Sequence, residues 1–315
     1  MSYTSVVKTP YGCDEFGRLT TVMMHRPGKE LELINRFNHA DWLFDEVPDV
    51  ARFVEEHDRY RELLTSYGVR VLELTDHLDD HHELVSRMPN LTYMHDTAVI
   101  TSKGTILSSM AWDGRKNEHL VVRDALVKLG IPILFEFDDT RDAFEGCLLL
   151  SPETILVAET ERHTKRAIDK FLRKALTEFE EVIYVDIPKA RRYMHPDTIY
   201  NRLDNHLALA YLPAFVTTYS YRHDGVEKID FVEHMRRKGV RIIEVSDSEQ
   251  RRLACSFVPL EPGAIFHYDT ALDRDTQVRL ARERVDIILF HPDAIRAGGG
   301  SLRCLTLRIH REFLS

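Results

Sequence analysis

The chain has 315 residues, enough for one large domain or two ordinary ones with a substantial core. Its 43% apolar and 30% charged residues are those of a globular protein, and a formal net charge of -9 argues against nucleic acid or an anionic membrane as its main partner. No run approaches membrane-spanning length and residues 1–17 lack an apolar core of signal-peptide length, while four scattered cysteines (Cys13, Cys147, Cys255, Cys304) without CxxC or zinc-type spacing predict reduced thiols and a cytoplasmic location.

In chain order, residues 19–24 read as a strand, and residues 50–66 as an amphipathic helix with Val54, Leu63 and Leu64 on its apolar face. That helix runs through Tyr67-Gly68 into the β-rich run 69–74, the first of five helix-to-strand junctions. Strands are predicted at 98–101 and 105–109, followed by the second junction, Leu129-Gly130 into 131–135. Strands at 148–150 and 154–158 precede a helix over 165–176, with Ile168, Phe171, Leu172 and Leu176 on one stripe, and the third junction, Phe179-Glu180-Glu181 into 182–185. The fourth is Lys238-Gly239 into 240–245, and the fifth Arg284-Val285 into 286–290. Each unit is two extra strands, a helix and a strand. An α/β unit of about 45 to 60 residues cannot bury its own apolar face, so repetition favours radial closure. Five copies are too few for an eightfold barrel. An open doubly wound sheet is the alternative.

Near the C-terminal end stands Gly298-Gly299-Gly300-Ser301-Leu302-Arg303-Cys304, before an alternating run, 305–309, that reads as a strand. A glycine run lets backbone approach a ligand, and a cysteine beside it suits a nucleophile. Alone, the same cysteine reads more often as a small buried hydrophobe. Polar residues recur at comparable places in the repeat: Asp96, Glu145, His195 and Asp197, then Cys304. Singly they read as turn, loop or capping residues. In a radial arrangement they would meet in one central pocket.

Several stretches then resemble the arginine deiminases, within the guanidino-group-modifying (pentein, or amidinotransferase) superfamily. They are 17–19 with 25–32, 43–48, 56–58, the Met88-Pro89-Asn90 motif ending at Asp96, 112–118, Glu145-Gly146, Glu161-Arg162, 194–198 and Arg303-Cys304. The resemblance implies a five-bladed, pseudo-symmetric α/β propeller: one catalytic domain over residues 1–315, built of five ββαβ-type repeats. It departs from the family in lacking the usual helical insertion, where only residues 76–87 fill the gap. Gly299 replaces an arginine five residues before the nucleophile, His95-Asp96 replaces Arg-Asp, and Glu145-Gly146-Cys147-Leu148 replaces Glu-Gly-Gly-Asp.

The resemblance assigns Asp96 and Asp197 to fork onto a guanidinium through charge-assisted hydrogen bonds. Cys304 becomes the nucleophile, His195 the general acid and base, and Glu145 the group that orients His195. Arg162, Arg115, Lys116, Asn90, Gly299 and Gly300 are the expected substrate-binding residues, the three cations reading otherwise as surface charges. No cofactor and no metal is expected, and the cluster His77, Asp79, Asp80, His81, His82, Glu83 reads as a solvated loop. Cys13 and Cys255 read as structural, and Cys147 as a candidate for the pocket wall. The expected partner is a small guanidino compound, with homo-oligomerisation open.

The leading reading is a hydrolase converting L-arginine to L-citrulline and ammonia. Its alternatives are agmatine or a methylarginine as substrate, a dihydrolase or an amidinotransferase. A non-catalytic arginine-binding protein is the rival of another class. A phosphate-binding α/β protein ranks last, because GxGxxG and a P-loop lysine are missing.

Overall fold

The computed structural model describes residues 10–312; the expected single domain over 1–315 includes termini outside that range. The architecture is α/β with five sheets. The same local sequence logic builds each one: two strands pair antiparallel, a helix follows, and the next strand returns parallel to the middle of the sheet. Arg18–Met24, helix Val50–Ser66 and Arg70–Glu73 make the first unit. Its antiparallel partner is Leu307–Glu312, so the two ends of the described chain meet in one sheet.

The second sheet joins Ala98–Thr101, Gly104–Leu107 and, after helix Glu118–Lys128, Ile133–Phe135. In the third, Leu148–Ser151, Thr154–Glu159 and, after helix Lys165–Glu178, Glu181–Asp186 are extended by Thr217–Arg222 and Gly225–Ile229. The fourth holds Tyr200–Arg202, Leu207–Ala210 and, after helix Phe231–Arg237, Arg241–Glu244. The fifth holds Val258–Glu261, Ala264–Tyr268 and, after helix Arg274–Arg282, Asp286–Phe290.

Several strands were not expected from sequence, notably Thr217–Arg222 and Gly225–Ile229, whose half-exposed pattern gives no continuous apolar run. The first helix spans the expected residues, started by Asp49, which accepts from Arg52 N at 3.1 Å. Its buried face is different: Phe53, Glu56, His57, Tyr60 and Leu64 lie inside, and Val54 and Leu63 are half-buried. The buried Glu56 carboxylate accepts the backbone N–H groups of Asp293, Ala294 and Ile295 at 3.0–3.1 Å. It thereby fixes the start of the segment that leads to the glycine run. No helix among the described residues is long and apolar enough to cross a membrane.

Candidate active site

The last strand begins at Leu307 rather than Leu305, which leaves Cys304 in a turn. Cys304 N donates to Ser301 O at 3.1 Å, and its Sγ lies 3.4 Å from Ser301 Oγ. The glycines are a packing requirement: a Cβ at Gly298 or Gly300 would enter the Tyr93 ring. That ring is locked by its hydroxyl, which donates to Ile295 O at 2.8 Å. Gly299 has φ +72°, and its Cβ would stand 2.9 Å from Asp45 Oδ2 and 3.1 Å from Arg191 Nη2. An arginine at 299 would meet both residues.

The other polar candidates share one local position, a short connection just before a strand. Asp96 lies in the turn Met94–Thr97 ahead of Ala98–Thr101. Asp197 lies in Pro196–Thr198 ahead of Tyr200–Arg202, with His195 capping that turn. Glu145 precedes Leu148–Ser151, and Cys304 precedes Leu307–Glu312. Asp96, His195, Asp197 and Cys304 line one cavity. Glu145 stands behind the imidazole, its Oε2 2.9 Å from His195 Nε2, while Asp96 Oδ1 lies 3.3 Å from Nδ1.

The electrostatics follow from burial with paired charges. Burial alone would lower the His195 pKa, but Asp96 and Glu145 outweigh it and raise the value. Burial works against ionised Glu145, yet His195 and Arg162 hold its carboxyl down at about 2. Asp197 is raised by burial, opposed chiefly by Arg303. Burial and the Asp96 and Asp197 carboxylates together push the Cys304 thiol up to about 12. The free site therefore holds a protonated thiol, and a cation between the two carboxylates would relieve that suppression.

The expected substrate-binding residues separate. Arg162, Asn90, Gly299 and Gly300 line the cavity. Among the described residues Arg162 has only long ion pairs, 3.6 Å to Glu145 and 3.5 Å to Glu161, and its buried Nε has no hydrogen-bond partner. Asn90 Nδ2 donates to Trp42 O at 2.7 Å. Arg115 also borders the cavity, but its guanidinium is engaged: Nη1 donates to Asp96 Oδ2 at 2.8 Å, Nε to Glu118 at 3.0 Å and Nη2 to Tyr93 O at 3.1 Å. It braces Asp96. Lys116 is not among the lining residues; its side chain is 55% exposed and paired with Asp113. Cys147 borders a second, smaller space behind His195 rather than the Cys304 cavity. Cys13 and Cys255 are buried.

Sequence reasoning missed Arg191, Ser256, Leu43 and Leu253 in the cavity wall. Arg191 Nη2 donates to Leu43 O at 2.6 Å and Asp45 Oδ1 at 3.0 Å, tying the 43–45 segment to the cavity wall. Ser256 precedes Val258–Glu261, a strand that was itself unread; recognising that strand would have flagged it. Leu43 and Leu253 have φ +60° and +68°, a conformation bulky residues rarely adopt and one that here turns both toward the cavity.

Among the described residues no group of three or more His, Cys, Asp or Glu side chains could hold a metal ion. The arginine deiminase family model matches residues 76–311. The arginine deiminase of Mycoplasma capricolum is 24% identical, the alignment covering 95% of this chain and 96% of that protein. Among solved structures, the product-bound N-terminal domain of ArgZ, an arginine dihydrolase from the ornithine–ammonia cycle in cyanobacteria, superposes with TM-score 0.70 and 16% identity. The match covers 92% of this chain and 97% of that one. AgrE in complex with ornithine and NAD+ gives TM-score 0.71 and 16% identity over 94% of this chain, which spans only 40% of the AgrE chain. A family model that runs from the Asp96 turn through the Cys304 turn encloses every element of the cavity's polar floor, and the chain belongs to the arginine deiminase family.

Proposed function

We propose that this chain hydrolyses a guanidino group through a covalent intermediate on Cys304, with L-arginine as substrate and L-citrulline and ammonia as products. The observation that carries the reading is the one cavity onto which Cys304, His195, Asp96 and Asp197 all open. The carboxylates of Asp96 and Asp197 hold the guanidinium planar and oriented. The bound cation offsets their effect on Cys304, so substrate helps to ionise its own nucleophile. The thiolate adds to the guanidino carbon to form a tetrahedral adduct. His195 gives its proton to one nitrogen, the C–N bond breaks, and ammonia leaves an S-linked amidino group. Neutral His195 then takes a proton from water as the oxygen adds to that carbon. The C–S bond breaks as the adduct's hydroxyl proton passes to the sulfur, returning the Cys304 thiol and releasing the ureido product. Glu145 keeps the imidazole oriented and stabilises its charged form. Covalent chemistry has a parallel in a variant of the ArgZ domain, captured covalently bound to a reaction intermediate.

The loosely paired Arg162 supports a substrate that carries a carboxylate, which favours L-arginine over its decarboxylated amine. The five sheets are proposed to close around the cavity as one catalytic domain of five ββαβ-type repeats without the helical insertion. In support, the end strands pair, and the alignment to the Mycoplasma enzyme runs over 394 positions against 315 residues here.

The purified chain, with Cys304 reduced, is assayed on L-arginine, agmatine and methylarginines for ammonia, ureido product and free amine. Turnover of L-arginine to the ureido product alone is expected. Release of the δ-amine instead marks a dihydrolase. No turnover of any compound defeats the hydrolase reading. Cys304→Ala is expected to bind arginine without turning it over; a variant indistinguishable from the parent in every activity favours a binding protein.

A further inference from the structure

Asp197 is buried in company that does not uniformly favour its charge. Asp96 and Glu15 act on it as like charges, His195 as a cation, and His95 Nε2 stands 3.6 Å away, with Cys304 across the cavity. Among the described residues one arginine touches it. Arg303, fully buried and adjacent to the nucleophile, brings its Nε to 3.0 Å from Asp197 Oδ2. Among the described residues Oδ1 takes no hydrogen bond, so that oxygen is left for a substrate N–H.

Arg303 is itself held. Its Nη2 donates to Glu15 Oε2 at 2.5 Å, and the same oxygen accepts from Arg308 Nη1 at 2.6 Å. Glu15 Oε1 accepts the backbone N–H of Leu149 at 3.0 Å, in the strand that follows Glu145. A segment ahead of the first strand, the nucleophile turn, the last strand and the third sheet are thus joined through one carboxylate. The charges balance, Glu15 and Asp197 against Arg303 and Arg308, which is the condition for burying them all.

We propose that Arg303, clamped by Glu15, is a positioning residue that holds the Asp197 carboxylate at the angle and in the ionised form needed to grip a guanidinium. This rests on the proposed role of Asp197 as one arm of the guanidinium fork. Burial makes the Asp197 carboxylate hard to keep charged, and Arg303 is the largest influence in the other direction. Without it the carboxyl ionises only at higher pH, so the acid limb of kcat/KM moves to higher pH.

The test compares wild type, Arg303→Gln and Arg303→Lys, each checked for folding by circular dichroism. Arg303→Gln is expected to raise KM for L-arginine on the order of 10- to 100-fold, the effect of losing one charge-assisted hydrogen bond to a buried acid, and to shift the acid limb upward. Infrared titration of the carboxyl band needs no substrate: a band titrating at higher pH than in wild type should appear in Arg303→Gln and vanish in Arg303→Gln/Asp197→Asn. Arg303→Lys keeps the charge without the fork, so its limb should stay near wild type while KM rises. A folded Arg303→Gln whose limb, KM and infrared titration match wild type overturns the proposal. If Arg303→Gln does not fold, an unchanged KM in Arg303→Lys overturns it instead. If wild type turns over no guanidino compound but the infrared shift appears, the function reading fails and the brace stands.

Discussion

Asp96 and Asp197 are held in matching ways by arginines that keep unlike company. Asp96 takes Arg115, whose other edge is bound by Glu118; Asp197 takes Arg303, whose other edge is bound by Glu15. On the Asp96 side a single arginine faces Asp96 and Glu118, with Glu145 nearby. Burial, reinforced by Glu145 and Asp96, lifts the Glu118 carboxyl to about 7 despite Arg115. On the Asp197 side two arginines, Arg303 and Arg308, face two carboxylates, Glu15 and Asp197, and overcome burial to hold Glu15 at about 2. Similar arginine–carboxylate pairs therefore yield a support beside Asp96 that titrates near neutrality and one beside Asp197 that stays ionised down to about pH 2. The number of opposite charges and the hydrogen bonds they bring decide together: both Glu15 oxygens are bonded, whereas among the described residues Glu118 Oε1 has no partner.

The sharpest way to break this comparison is to neutralise both glutamates without changing their shape. Glu15→Gln leaves Arg303 and Arg308 buried against one fewer acid and should cost about 3–5 kcal/mol of unfolding free energy at pH 7. Glu118→Gln imitates a form that Glu118 already adopts near neutrality and should cost about 1 kcal/mol or less. Denaturant melts measure both, and equal costs would erase the distinction. The pH dependence carries opposite signs. Glu15 is depressed in the fold, so its contribution is present above its ordinary value of 4.5 and fades as pH falls toward about 2. Glu118 is raised, so between 4.5 and about 7 the fold binds more protons than the unfolded chain and stability declines as pH rises. Glu118→Gln should flatten that decline, and Glu15→Gln should leave it.

Which of these features could be read from the sequence follows from how local they are. The helix-to-strand junctions were legible because Gly68, Gly130 and Gly239 punctuate an apolar period change. Asp96, His195, Asp197 and Cys304 were legible because each sits just before a strand and within a family motif. The brace behind Asp197 was not, because Glu15 and Arg303 are 288 residues apart and neither lies in an amphipathic pattern. Arg115 misled for the complementary reason: a basic residue at a family position looks free until its carboxylate partners are in place. Thr217–Arg222 escaped because its polar alternation matches neither a buried strand nor a helix.

A cation held between acids supports the site, whereas a loosely paired one is available to an anion. Arg162→Gln should therefore raise KM for L-arginine about 10- to 100-fold, with a much smaller change for agmatine. Equal changes for both compounds would mean that Arg162 serves the fold. A smaller effect is expected at Cys304. Because the carboxylates raise the Cys304 thiol, Asp96→Asn should lower the midpoint of iodoacetamide alkylation of Cys304 by about one pH unit, read from the pH dependence of the rate. An unchanged or raised midpoint would leave the suppression to burial and Asp197.

The smallest expected effect is at Lys116, adjacent in sequence to Arg115 and its opposite in environment. Arg115 is 4% exposed and bound by two carboxylates and a carbonyl, whereas among the described residues Lys116 is paired only with Asp113, itself 87% exposed. An exposed pair at that spacing gains little from attraction that water and salt screen, so Lys116→Ala should change stability by about 0.5 kcal/mol or less. With no place in the cavity wall, it should also leave KM for L-arginine unchanged. A KM increase that grows as ionic strength is lowered would show Lys116 acting on the incoming substrate through solvent. The line between supporting and available cations would then lie at the cavity mouth rather than at its wall.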